Sequence, residues 1–236
     1  MPIIYKADYI KEGILDVLKA ITERKAIRAF KADPVPLAVL KKIMEPALRA
    51  PSWANTQPWE FAVAGGKKLR EIQDAFVERG IKDWENEVTR PYEFPEPYMG
   101  RIRALQPKDR KELTKEDWDR RSLENFRHYG APVCIYLLVG KSIYRQSKGV
   151  NVWSMYDCGS AVQNIMLLAV KYGLGTIAQA QAVVYPDIVR RVLCIPEDKL
   201  IALGIAIGYP DWENPVNEEW RAREPLDKVV CFYGFD

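Results

Sequence analysis

Histidine is almost missing from this 236-residue chain, His128 being the only one. A zinc site of the ordinary His/Cys type and a Ser-His-Asp triad would both depend on that residue. Nothing around it in Arg-His-Tyr-Gly supports either, so His128 reads as a packed or surface side chain. Cysteine is scarce too. Cys134, Cys158, Cys194 and Cys231 lie far apart, with no Cys-x-x-Cys pair and no metal-ligand spacing. That pattern points to four reduced thiols in a reducing compartment, without a disulfide framework and without a metal. There is no apolar run of membrane-spanning length, and no N-terminal apolar segment with a small-residue cleavage site. A cytoplasmic protein is the expectation. Neither Gly-x-Gly-x-x-Gly after a strand nor Gly-x-x-x-x-Gly-Lys-Ser/Thr occurs, which excludes a Rossmann fingerprint and a P-loop. Charge of one sign is not in excess either. With 35 basic and 32 acidic residues interspersed and a net charge of +3, the chain lacks the basic footprint of a nucleic-acid binder.

What is present is a hydrophobic fraction of 48%, enough for a substantial core in one domain. Apolar spacing predicts a short helix over 13–22, and a longer one over 37–49 that Pro46 should kink near Glu45. A buried strand is expected over 59–64 and a surface helix over 67–79. From 80 to 127 charge density rises, with Pro91, Pro95, Pro97 and Pro107 among Trp84, Tyr92, Phe94 and Tyr98. Those aromatics argue for an ordered excursion, either a binding lid at about 81–127 or a peripheral cover. Pro-Val-Cys-Ile-Tyr-Leu-Leu-Val over 132–139 reads as a central strand. The most apolar helix, over 154–172, must be covered on all sides, by the monomer's own core or across a symmetric dimer interface. A short helix is expected from Pro186 to Leu193 and a buried strand over 200–209. The tail over 211–236 carries Trp212, Trp220, Phe232 and Tyr233, and should wrap a surface with an edge strand near 228–233.

The organising stretch is Arg-Ala-Pro-Ser-Trp-Ala-Asn-Thr-Gln-Pro-Trp-Glu, residues 49–60, between a helix and a strand. Pro51, Ser52, Asn55 and Thr56 are residues that shape irregular backbone, and no acid, base or nucleophile stands among them. The loop therefore grips a ligand without performing chemistry on it, or simply connects two elements. Two basic clusters, Arg24/Lys25/Arg28 and Arg221/Arg223, could converge on one phosphate if the two ends of the chain meet in space; otherwise they are solvated patches.

Pro51-Ser52-Trp53-Ala54-Asn55-Thr56-Gln57-Pro58-Trp59 closely resembles the Pro-Ser-x-x-Asn-x-Gln-Pro-Trp signature of the FMN-dependent nitroreductase family. Arg24-Lys25-Ala26-Ile27-Arg28 resembles that family's basic motif, with Ala26 standing where serine is common. Residues 159–168, with Gln163 and Asn164, resemble its central dimer helix, and Arg221-Ala222-Arg223 its late phosphate clamp. The resemblance implies an α+β fold: a central, mostly antiparallel sheet flanked by helices in an interlocked homodimer. It also implies FMN as cofactor and NADH or NADPH as electron donor. The implied cofactor contacts are Arg24, Lys25, Ala26 and Arg28, then Pro51, Ser52, Trp53 and Asn55 from the opposite subunit, Gln163, and Arg221 and Arg223. Ala180, Gln181 and Ala182 are expected to approach the flavin's reactive face, although the family's common Pro-x-Glu-Gly spelling is absent. Trp84, Tyr92, Phe94 and Tyr98 are the implied substrate contacts. No side chain is expected to act as a catalyst, because the flavin carries the chemistry and Arg28 would stabilise the charge it gains. Hydride passes to flavin N5 and then, in a second half-reaction, to a nitroaromatic, quinone or similar small acceptor. Dehalogenation, enone reduction, a biosynthetic oxidation and a non-enzymatic flavin-binding role are the alternatives the same fold allows.

Overall fold

The computed structural model describes residues 16–82, 85–89, 91, 93–105, 114–218 and 221–235. In chain order the elements are α1 (Val17–Glu23), α2 (Leu37–Ala47), β1 (Trp59–Gly65), α3 (Gly66–Arg79), α4 (Tyr98–Ala104) and α5 (Lys115–Phe126). They continue with β2 (Val133–Gly140), α6 (Lys141–Tyr144), β3 (Arg145–Gln146), β4 (Gly149–Val150) and α7 (Val152–Lys171). The last are β5 (Gly175–Gln179), α8 (Pro186–Leu193), β6 (Lys199–Gly208) and α9 (Leu226–Val229).

Four of the strands form one antiparallel sheet in the order β1-β2-β6-β5, and β3 and β4 make a separate small hairpin. The seven apolar residues of β2 are all buried because helices cover both faces of the sheet at its centre. On one face Ile135, Leu137, Val139, Ile205 and Ile207 pack against Ile43 and Ala47 of α2 and Ala161 and Ile165 of α7. On the other, Cys134, Tyr136, Leu138 and Ile201 meet α3, α5 and α8 through Ile72, Phe76, Phe126, Tyr185 and Val189. The rings of Phe76 and Phe126 meet edge to face at 5.7 Å. Each such side chain contributes about 1.5–3 kcal/mol by leaving water, so the two-faced core dominates stability. Gly204 in β6 is required by packing: a Cβ there would stand 2.4 Å from the Cβ of Ala182 in the turn that crosses it.

His128 is fully buried, its Nε2 3.3 Å from the Tyr136 hydroxyl, as a packed histidine should be. Burial pushes its pKa down to about 4.

Several expectations need correction. The first helix is described from Val17 and runs to Glu23, one residue beyond the expected end, and residues 13–15 lie outside the described residues. Pro46 does not break α2 at Glu45. It occupies the last turn, which closes immediately afterwards with the Leu48 N–H on the Met44 carbonyl. β5 was not expected as a strand, because Gly-Thr-Ile-Ala-Gln is short and of mixed polarity; pairing with β6 makes it one. The tail forms the short helix α9 where an edge strand was expected, and Leu226, Val229, Phe232, Tyr233 and Phe235 stand exposed on this chain.

The segment after α3 is fastened at its root. Gly80, with φ +70, ends the helix and accepts a hydrogen bond from the Tyr185 hydroxyl at 2.7 Å. That hydroxyl in turn accepts the Lys82 N–H at 3.1 Å. The Glu87 carboxylate pairs with Arg190 at 2.6 Å and accepts the Ile201 N–H at 2.7 Å, both side chains being mostly buried. A charge-assisted pair satisfied this fully fixes the start of the excursion against β6 and α8.

Candidate functional site

Two basic stretches nearly two hundred residues apart in sequence meet beside β5. The chain leaves α1 in extended form, Ala26 bridges Thr176, and the Ile27 N–H donates to the Thr176 carbonyl at 3.1 Å. Side chains alternate along extended backbone, so with Ile27 buried its neighbours Ala26 and Arg28 face outward. The tail is brought here by Asn217, which is almost fully buried. Its Oδ1 accepts the Arg28 N–H at 2.8 Å, and its Nδ2 donates to the carbonyls of Ala29 and Asp211, each at 2.8 Å. The Asp211 N–H completes the clamp on the Ala29 carbonyl at 3.0 Å.

Four residues past that clamp Arg221 begins, and Arg223 lies close enough to Arg24 for its charge to matter. Burial first, and then the Arg223 charge, hold the Arg24 guanidinium below its ordinary range. Two like charges brought together by the fold are stabilised by an anion between them. Lys25 lies over the Trp212 ring at 5.2 Å. Arg24 and Lys25 line a cavity of about 410 Å³ together with Val170 and Gly173, which places them at the C-terminal end of α7. The Arg28 guanidinium reaches the Tyr129 hydroxyl, which Asn125 also contacts; burial raises the Tyr129 pKa, partly offset by these partners. Arg28, Tyr129, Asn125 and Arg221 share a second cavity, of about 990 Å³.

At the far end of β5 stand two amides with incomplete bonding. The buried Gln179 donates through Nε2 to the backbone and side-chain oxygens of Asn125, both at 3.3 Å. Among the described residues its Oε1 has no partner. Asn86 reaches the Ala180 carbonyl at 3.5 Å, and its Oδ1 is likewise buried without a partner. Buried acceptors normally find donors, so two orphaned oxygens flanking Ala180 fit a polar ligand there. Ala180 is exposed and Gln181 half-buried, whereas Ala182 is wholly buried beneath β6.

The 51–57 loop lies elsewhere. Ala54, Asn55 and Gln57 all have positive φ, between 45° and 60°, a conformation that persists in residues with side chains only when surroundings enforce it. The enforcing contacts are visible. Ser52 Oγ accepts the Gln57 N–H at 3.0 Å, and the buried Asp157 carboxylate of α7 accepts the Trp53 N–H, also at 3.0 Å. The Trp53 ring, more than half exposed, sits 5.4 Å from that of Trp153. Pro51, Ser52, Trp53 and Asn55 thus gather at the N-terminal end of α7. From Asp157 to Val170 that helix rises about 20 Å at 1.5 Å per residue. Within one chain the loop and the arginine pair are therefore separated by most of α7.

The face of α7 between them is open. Tyr156, Gly159, Ser160 and Gln163 line a shallow groove, and Val152, Trp153 and Tyr156 are exposed, so this chain alone does not cover the helix on all sides. Of the expected substrate contacts, Trp84 and Tyr92 lie outside the described residues. Phe94 and Tyr98 are exposed, the latter with the Arg101 guanidinium of its own helix over its ring. The sequence reading overlooked Asn217, Asn86, Asn125 and Tyr129, which carry no local pattern. It also overlooked Asp157, although an acid inside the most apolar helix was a usable signal.

Known proteins resemble this chain over nearly its whole length. The 4-nitrobenzoate reductase of Nocardioides sp. (strain LMS-CY) is 29% identical over 229 residues, which cover 90% of this chain and 88% of the relative. The nitrobenzene nitroreductase of Ectopseudomonas oleovorans is 28% identical over 229 residues, covering 90% and 94%. Among solved structures, the FMN and NADPH-dependent nitroreductase NfnB from Sphigopyxis sp. strain HMH superposes with a TM-score of 0.81 at 31% identity, covering 94% of this chain and 100% of that one. The model of the nitroreductase family matches residues 21–209, and with its antiparallel sheet, its shaped loop and its paired arginines this chain belongs to that family.

Proposed function

We propose that the protein is a homodimeric, FMN-dependent oxidoreductase that uses NADH or NADPH to reduce small electrophilic acceptors, nitroaromatics and quinones among them. The observation that carries this reading is the placement of two half-sites at opposite ends of α7. Arg24 lies near enough to Arg223 to feel its charge at one end, and the strained 51–57 loop stands at the other. One chain cannot bring them to one cofactor across about 20 Å. A second copy related by a two-fold axis near Gly159 would lay α7 antiparallel on α7, cover the groove at Tyr156 and Gln163, and set each loop beside the partner's arginines.

The residues fit FMN. Arg24 and Arg223 would hold the phosphate, with Lys25 nearby, and the orphaned oxygens of Gln179 and Asn86 would accept hydrogen bonds from the polar edge of the ring system. When bound, FMN supplies hydride acceptance from the nicotinamide and onward reduction of the acceptor. Arg28, fixed through its backbone by Asn217 and through its guanidinium by Tyr129, offers a permanent positive charge where negative charge gathers during turnover. Ser52 and Asp157 keep the loop preformed, so little ordering is needed on binding. Relatives named for reduction of a nitrobenzoate and of nitrobenzene support a nitroaromatic acceptor class.

The test is an absorption spectrum of the purified protein, then anaerobic addition of NADH or NADPH and then of a nitroaromatic. A yellow protein that bleaches with the nucleotide and recovers with the acceptor is the expected result, in a species with the mass of two chains. A protein that neither copurifies with flavin nor binds added FMN, or a flavin-loaded monomer, would overturn it.

A further inference from the structure

The two orphaned amide oxygens at the far end of β5 differ in what they can meet. We propose that Asn86 sets the redox poise of the bound flavin: its Oδ1 accepts a hydrogen bond that only the reduced ring can donate, while Gln179 Oε1 accepts one that is available in both states. This rests on the flavin-oxidoreductase reading above and deepens it from cofactor binding to control of the potential.

Both oxygens are aimed by their surroundings. The Asn86 Nδ2 lies 3.5 Å from the Ala180 carbonyl oxygen, and the Gln179 Nε2 meets two oxygens of Asn125 at 3.3 Å. Turning either amide over would set oxygen against oxygen, so in each the carbonyl end points away from these neighbours. Both of those ends are buried and, among the described residues, without a partner. The backbone that carries Asn86 is clamped on each side. The Glu85 N–H donates to the Val184 carbonyl at 3.1 Å, and the Glu87 carboxylate holds Arg190 and the Ile201 N–H. Gln179 is only 3% exposed. A buried acceptor with a fixed direction and no donor marks a place for an N–H of the ligand.

Position separates the two roles. Gln179 is joined through Asn125 to Tyr129 and so to Arg28, the charge that faces the anionic side of the ring. Asn86 comes from the opposite direction and meets Ala180, in the turn expected to face the reactive edge. The oxidised ring system has a single N–H, at N3, between its two carbonyls; its N5 is an acceptor and offers Asn86 nothing. Hydride transfer from the nicotinamide breaks a C–H bond at its C4 and forms N5–H, moving two electrons and one proton, and the nicotinamide leaves in its oxidised, cationic form. An acceptor at N5 is therefore satisfied in the reduced state alone, and an acceptor at N3 in both. A contact made with one state shifts the equilibrium between states, whereas a contact made equally with both changes affinity only.

The experiment measures the potential of FMN bound to wild type, Asn86→Ala and Gln179→Leu by equilibration with a reference dye, and the affinity of each protein for oxidised FMN by fluorescence titration. The affinity for reduced FMN then follows from the cycle that includes the potential of free FMN. In Asn86→Ala, oxidised FMN is expected to bind within about twofold of wild type and reduced FMN about five- to tenfold more weakly, which is a shift of about 20–30 mV to more negative potential. In Gln179→Leu both affinities should fall together and leave the potential where it was. Repetition with 5-deaza-FMN, which has carbon in place of N5 and so no N–H there in either state, separates the bond from the fold. With that analogue the Asn86→Ala shift should vanish, whereas a shift caused by a disturbed fold would persist. Equal weakening of both states in Asn86→Ala, the same shift with 5-deaza-FMN, or a shift found in Gln179→Leu instead would each overturn the proposal while leaving FMN binding intact. Wild type that bound FMN in neither state would overturn this assignment together with the function proposed above.

Discussion

The two ends of α7 are built by opposite means. At the N-terminal end, a loop whose residues are close in sequence is bent into positive φ at Ala54, Asn55 and Gln57 and held there by Ser52 and Asp157. At the C-terminal end, segments from the two extremes of the chain meet with no positive φ among their described residues, and one buried amide, Asn217, joins them. The first end stores conformational strain and, among the described residues, holds no charge pair. The second stores electrostatic repulsion between Arg24 and Arg223. Ligand binding should relieve the second and only exploit the first, which makes the arginine end the thermodynamic anchor and the loop end a preformed cover.

The sharpest way to break that asymmetry is to remove the anchor. Arg24→Ala combined with Arg223→Ala deletes two charge-assisted contacts, each worth about 1.5–3 kcal/mol, so FMN affinity should drop roughly a thousandfold. Without FMN the double variant should be no less stable than wild type, because it loses a repulsion. Equilibrium titration by flavin fluorescence and a melt of the apoprotein check the two halves of this expectation. A large loss of apoprotein stability would show that the pair is structural.

The ends should also differ in pH response. His128 adjoins Tyr129, whose carbonyl accepts the Phe30 N–H at the arginine end. Its folded pKa of about 4 lies below the ordinary value of 6.5. Between those values the unfolded chain binds a proton that the folded chain refuses, so stability present above pH 6.5 is lost as pH falls and levels off below about 4. The loss amounts to about 3 kcal/mol. Urea midpoints measured across that window should fall accordingly, and His128→Gln should flatten the dependence. An equally steep slope in the variant would assign the effect to other groups.

Asn217→Ala tests the joint itself. Three short hydrogen bonds disappear and the Arg28 N–H loses its acceptor inside the protein, at a cost of about 2–3 kcal/mol. FMN affinity should fall with it, since residues 221–223 then lose their register against 24–28. Asn217→Asp keeps the acceptor and loses both donations, and should lie between. Thermal melts with and without FMN separate the stability effect from the binding effect.

How far the sequence foretold these two ends follows from how local each one is. The loop was legible because Pro51, Ser52 and Asn55 encode their own backbone, and the strands and helices because β2 and α8 announce themselves over eight residues each. The convergence of the arginines could be posed only as a condition, because Asn217 acts across 189 positions and leaves no periodic trace. β5 escaped notice for the same reason: hydrogen bonding to β6, and not its own composition, makes Gly175–Gln179 a strand. α7 looked uniformly apolar from its second half, while its first half presents Val152, Trp153 and Tyr156 outward. Pro46 misled because its cost depends on position, and in the last turn of α2 little helix remains to be broken.

The smallest expected effect bears most directly on the comparison. Asp157→Ala removes the acceptor of the Trp53 N–H and leaves the loop held by the Ser52 bond and the Trp53–Trp153 contact alone. A loss of about 1–2 kcal/mol in loop order should weaken FMN binding about five- to thirtyfold, and Asp157→Asn, which retains an oxygen at the same place, should bind almost as wild type does. The informative form of the experiment mixes chains. In a dimer of one Asp157→Ala chain with one Arg24→Ala chain, sharing of sites across the interface places both defects in one site and leaves the other intact, so half the flavin binds with wild-type affinity. If each chain held its own flavin, both sites would be weakened, one slightly and one strongly, and no wild-type fraction would appear. Titration of the separated mixed dimer therefore distinguishes a site split between the ends of two α7 helices from one completed within a single chain.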